Sequence, residues 1–127
     1  MPWTLNYCEP DRILTVKCEG PYSANDLAPM TSAAIDRLHE VQSLRVLLDF
    51  SAAIAQLSIA DVYKLPEIYS ALHAPRLARL AMLVPTDHYR MEIYQFYEDL
   101  CVNRGFFVKL FDDAASAKAW LMEGQWI

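Results

Sequence analysis

The sequence predicts an α/β sandwich: a mixed, mostly parallel five-stranded sheet in the order β-β-α-β-α-β-α-β-α, with helices on both faces. Three observations lead there. Two short, nearly continuous apolar runs, Leu44–Phe50 and Leu77–Val84, have the composition of strands covered on both faces in a parallel sheet. Apolar residues at helical spacing fill the stretches between strand-like runs, and right-handed crossovers then leave only the first strand antiparallel. A chain of 127 residues, 54% hydrophobic with three glycines, is long enough for one core, so residues 1–127 are read as a single domain.

Trp3–Cys8 and Arg12–Cys18 alternate in character and flank the turn residues Glu9-Pro10-Asp11-Arg12, which predicts a hairpin with Cys8 opposite Ile13 and Cys18 opposite Trp3. After Gly20-Pro21, Ser23-Ala24-Asn25-Asp26 offers N-cap oxygens to a helix whose stripe is Leu27, Met30, Ala34, Leu38 and Val41. The strand Leu44–Phe50 brings Asp49 to its C-terminal edge, and Ser51–Leu57 is then an unusually apolar loop. Ser58–His73 reads as one helix capped by Ser58 and kinked at Pro66. Asp87–Arg104 is a long helix capped by Asp87 and closed by Gly105, Phe106–Phe111 is the last strand, and Ala114–Met122 is a final helix. That helix is capped by Asp112 or Asp113 and turns Ala117, Trp120 and Leu121 to the sheet.

Sixteen acidic against eleven basic residues give a net charge of -5, which argues against a phosphate-backbone binder, so no nucleic-acid partner is expected. Cys8, Cys18 and Cys101 are odd in number and lack metal-like spacing, as expected of free thiols in a cytoplasmic protein. The first residues lack the features of an export signal. The longest uncharged stretch, Phe50–Ala60, is far below the roughly 18 residues of a membrane span.

Four segments stand out together: Glu19-Gly20-Pro21-Tyr22, Val46-Leu47-Leu48-Asp49 leading through Ser51 to the helix at Ser58, Leu80-Ala81-Met82-Leu83-Val84, and Lys109-Leu110-Phe111-Asp112 with Ala117 and Trp120-Leu121. In these the chain resembles the SpoIIAA-like proteins of the STAS superfamily, the sulfate-transporter and anti-sigma-factor-antagonist fold. The resemblance implies a small bacterial regulatory or protein-interaction module without catalytic activity or cofactor, acting on a protein partner or on itself as a homodimer. It also implies a phospho-acceptor at Ser58, with Asp49 and Ser51 ahead of it. Here Leu57 holds the place of the family's aspartate, and Ile59, Ala60 and Asp61 follow where a glycine is expected. A phosphate on Ser58 would meet Asp61 one turn later, and N-capping is the simpler role for this serine.

No nucleophile–base pair, carboxylate pair or metal-ligand spacing stands out, so neither a catalytic nor a metal site is expected. His39, His73 and His88 read as solvated surface histidines, and Cys101, beside Ile93, Tyr97 and Leu100, as a buried inert thiol. The informative feature is apolar surplus. Ile59, Val62, Tyr63, Pro66 and Tyr69 make one stripe while Leu65, Ile68 and Leu72 continue round the helix, with Tyr63 and Tyr69 free to reach water by their hydroxyls. In the next helix Tyr89, Ile93, Phe96, Tyr97 and Leu100 are assigned to the sheet, leaving Met91 and Tyr94 outward. Ile54, Leu57, Tyr63, Pro66, Tyr69, Met91 and Tyr94 are therefore the expected partner or dimer surface. The alternative is a small-molecule binding protein in which Asp49, Ser51, Ile54, Leu57 and Ser58, in and beside the strand-end loop 51–58, hold an apolar or anionic ligand.

Overall fold

The computed structural model describes residues 2–85 and 91–123. Its elements are β1 (Trp3–Cys8), β2 (Ile13–Ser23), α1 (Ala24–Val41), β3 (Arg45–Gln56), α2 (Ile59–Tyr63), α3 (Leu65–Ala71), β4 (Arg79–Leu83), α4 (Met91–Asn103), β5 (Phe107–Phe111) and α5 (Ala114–Met122). The roles assigned to Asp87, His88 and Tyr89 lie outside the described residues.

The sheet runs β1-β2-β3-β4-β5, with β1 antiparallel to β2 and every other pair parallel. The hairpin register places Trp3 opposite Cys18 and Cys8 opposite Ile13, and all three cysteines are free thiols. Crossovers of one hand that step the same way across a sheet must lay their helices on one face. Accordingly α1, α2, α3 and α4 share a face and bury Leu27, Met30, Leu38, Val62 and Ile93 against Leu14, Val16, Val46, Leu48 and Met82. Alternate residues of the same strands, Ile13, Leu47, Ala81 and Leu83, point the other way and meet Ala117 and Leu121 of α5. Helices thus cover both faces, three crossovers on one and α5 on the other.

Two expectations are corrected. The helix foreseen over Ser58–His73 is two short helices joined at Lys64, and Pro66 lies in the first turn of α3. A proline there lacks only an N–H that would have no helical partner, so it starts a helix rather than kinking one. The apolar segment Ser51–Leu57 is a strand rather than a loop through Gln56, because β2 also continues past Gly20-Pro21 and pairs Glu19–Ser23 with Ala52–Gln56. A register shift between Lys17 and Glu19 re-phases the two strands, and Gly20 carries the positive φ of 72°. Pro21 is tolerated because β1 pairs with β2 only as far as Cys18, so beyond that point β2 is an edge with no donor required on that side.

At the opposite rim, where helices end and strands begin, arginines donate to carbonyls at helix C-termini. The Arg12 guanidinium donates to the carbonyls of Val41 and Gln42, that of Arg76 to Arg104, and that of Arg79 to Trp120 at 2.8 Å.

Candidate functional site

Between the helix layer and the sheet lies a cavity of about 90 Å³. Its walls come from β2, β3 and β4 below and from α1, α2, α3 and α4 above, and among the described residues they contain no Asp, Glu, Lys, Arg or His. The void has a simple origin. Ala34 on α1 and Ala74 and Ala78 in the α3–β4 connection line it, and none has a side chain long enough to fill it. Most wall residues are buried, but Ala34, Ala74, Pro75 and Leu80 keep partial exposure, so the cavity reaches solvent between α1 and the connection 72–78.

The polar groups of the wall are chiefly tyrosine hydroxyls held in pairs. Tyr22 and Tyr94 hydroxyls meet at 3.3 Å, and those of Tyr69 and Tyr97 at 2.6 Å. Phe50 stands edge-on to Tyr22 with centroids 5.2 Å apart, and Phe106 to Tyr69 at 5.5 Å. Burial pushes the Tyr69 and Tyr97 hydroxyls upward from their usual range. Burial pushes the Cys101 thiol up to about 12. These groups stay protonated at neutral pH, so they add no charge to the wall.

The residues singled out from the sequence divide between three places. Leu57, Tyr69 and Tyr94 line the cavity and Pro66 is fully buried, so none of these four is surface. The helical wheel failed for them because it ran one unbroken helix through Lys64. In α4 the buried set is Ile93, Tyr94, Tyr97 and Cys101, which turns Tyr94 inward at 3% exposure and leaves Phe96 only half-buried. Met91 is half-buried against the same core. Ile54 and Tyr63 are exposed, at 52% and 51%, and Ile59, one turn before Tyr63, joins them at 47%.

Asp49 lies between the inward Leu48 and Phe50 and so faces away from the cavity, and Ser51 follows it at the surface. The Ser51 N–H and hydroxyl both donate to Asp49 Oδ1, at 3.2 and 2.6 Å. Ser58 forms a reciprocal cap: its Oγ accepts the Asp61 N–H at 3.2 Å and its own N–H donates to Asp61 Oδ2 at 2.9 Å. Those bonds from Ser58 hold the Asp61 carboxyl below its usual range. The strand-end set therefore separates, with Leu57 inside and Asp49, Ser51 and Ile54 outside.

Sequence reading missed Tyr22, Tyr97 and the three alanines as wall residues. The alternation of buried Ala53, Ala55 and Leu57 with exposed Ile54 and Gln56 was a usable strand signal. Among the described residues no group of three or more His, Cys, Asp or Glu could hold a metal ion, and no helix is long and apolar enough to cross a membrane.

The chain is a small α/β sandwich with a mixed sheet, three crossovers on one face and, beneath them, a cavity whose described wall residues are uncharged. No family model matches the chain, and no curated protein matches it. Among solved structures it is similar to a protein from the DUF3478 family of Shewanella loihica PV-4, described as having a SpoIIAA-like fold. The two share 17% identity and a TM-score of 0.61 over 94% of this chain and 91% of that one. The unphosphorylated anti-sigma factor antagonist SpoIIAA aligns at 14% identity and a TM-score of 0.48, over 93% of this chain and 94% of that one. The chain has the SpoIIAA-like fold.

Proposed function

We propose that this chain is a non-catalytic regulatory or interaction module of the cytoplasm that works by binding a small apolar molecule between its helices and its sheet. The observation that carries this reading is the cavity of about 90 Å³ with an uncharged wall and a mouth at Ala34, Ala74 and Pro75. Close-packed interiors leave few spaces of that size, and a guest that fills one recovers lost contacts. The three free thiols suit a reducing compartment. The test is titration with xenon and with benzene, followed by backbone amide shifts. Saturable shifts on α1 and on 72–78 are expected, and absence of saturable binding by both probes refutes the reading.

A second reading concerns the surface. Ile54, Ile59 and Tyr63 are exposed apolar residues, and the latter two lie on α2, the helix that Ser58 caps. This is where a protein partner or a second copy in a homodimer would dock, and where phosphorylation of Ser58 would act. Light scattering after size exclusion, comparing the wild type with Tyr63→Asp, tests self-association. A dimer that becomes a folded monomer supports it, and a wild-type monomer removes the homodimer.

A further inference from the structure

We propose that the occupant of the cavity is a neutral molecule with a compact apolar or aromatic body and one hydroxyl group, anchored on the Tyr69–Tyr97 hydroxyl pair. This rests on the ligand-binding reading above and narrows it. A charged guest is excluded by the wall. Among its described residues no Asp, Glu, Lys, Arg or His is present to pair with a carboxylate or an ammonium, and an unpaired buried charge is far costlier than any gain from apolar contact.

The hydroxyl requirement comes from counting protons and lone pairs. Tyr69 and Tyr97 form a buried pair, joined by the 2.6 Å contact between their oxygens, in which either can be the donor. Two O–H groups carry two protons and one bond uses one of them, so the pair retains one proton to donate and lone pairs to accept whichever way it runs. A ligand hydroxyl is both donor and acceptor and can meet the pair in either sense. A hydrocarbon adds nothing to it, and a carbonyl can meet only the spare proton. The body of the ligand follows from the remaining wall. Phe106 edge-on to Tyr69 at 5.5 Å and Phe50 edge-on to Tyr22 at 5.2 Å present ring faces and edges to a guest. A volume of about 90 Å³ is below the roughly 150 Å³ of a cavity known to accept benzene, so the guest is small or projects through the mouth.

The experiment titrates benzene, phenol and benzoate into wild type, Tyr69→Phe and Tyr97→Phe at pH 7, read by amide shifts. Phenol is expected to bind about threefold or more tighter than benzene, the range one buried hydrogen bond supplies. Benzoate is expected not to bind. Tyr69→Phe should bring phenol down to the affinity of benzene while benzene itself changes little, and that unchanged benzene binding shows that the variant is folded. Phenol no tighter than benzene in the wild type, or benzoate binding as well as phenol, overturns the hydroxyl-anchored ligand while leaving the apolar site standing. Failure of all three probes and of xenon overturns the ligand-binding reading itself, and this inference with it; saturable xenon binding with none of the three overturns the aromatic-sized hydroxyl guest while leaving the apolar site standing.

Discussion

Ala34→Leu places three more carbons at the mouth of the cavity, on a helix face that is half-exposed and able to yield. The space beside it, about 90 Å³, has room for them. Burying three carbons at about 0.8 kcal/mol each contributes about 2.4 kcal/mol, less a few tenths for the lower helix propensity of leucine and some strain of fit. A net gain of about 1–2 kcal/mol is expected. At an unfolding entropy of about 2.1 cal/mol/K per residue, 127 residues give about 0.27 kcal/mol/K, so Tm should rise by about 4–7 °C. Differential scanning calorimetry measures the rise, and benzene titration of the same variant should show binding weakened at least tenfold. A lower Tm together with undiminished benzene binding would refute the reasoning, because the new side chain would then be crowding the core and not occupying the void.

Other consequences follow from the same geometry. Ser58→Ala removes the acceptor of the Asp61 N–H and should cost about 1 kcal/mol by urea denaturation, whereas Ser58→Asp, another good cap, should cost less; equal losses would mean the cap contributes nothing. Tyr94→Asp should unfold the chain or destabilise it by more than about 3 kcal/mol, since it buries a charge among apolar walls, while Tyr63→Asp at an exposed site should stay within about 0.5 kcal/mol. Circular dichroism melts of the two variants decide this, and similar melts would place Tyr94 outside the core. Cys18 is pushed to about 11 and Cys101 to about 12, from 9.0, both chiefly by burial. The folded state therefore keeps protons that the unfolded chain releases above pH 9, so stability is full below pH 9 and falls as pH rises toward 11 to 12. The urea midpoint should drop between pH 9 and 11, and a flat profile would contradict the burial of both thiols. At pH 8 a thiol reagent should modify Cys8 quickly and the other two only on unfolding.

The layer order was legible because covered parallel strands have a composition of their own: Val46-Leu47-Leu48 and Ala81-Met82-Leu83 are apolar on both sides, and each side does meet a core. The hairpin register was legible because its turn fixes the pairing. The ends of elements were not. Gly20-Pro21 looks like a stop, and only the premature end of β1 lets β2 run through it. Pro66 reads as a kink when a helix is drawn from Ser58, and as a start when the chain breaks at Lys64, and local periodicity does not distinguish these. The cavity was invisible for a different reason. It is made by what Ala34, Ala74 and Ala78 lack, and those residues come together only when α1 and the 72–78 connection pack side by side over β4. Leu57, Tyr69 and Tyr94 were selected for the right property, an apolar surplus, which faces inward around a space and not outward toward a partner.

The sheet also divides the molecule into two compartments of unequal compliance. The cavity belongs wholly to the larger core, whereas α5 seals the other side with Ala117 and Leu121 at 0% exposure and is tied to β4 by Arg79, which stacks on Trp120 at 4.9 Å and donates to its carbonyl. Five strands stand between them as a stiff partition. A guest bound as proposed would therefore act on α1 and on the short helices α2 and α3, with the sheet between it and α5. Hydrogen exchange should record this as a one-sided change: amides of α1, α2 and α3 slow when the cavity is filled, and those of α5 keep their rates.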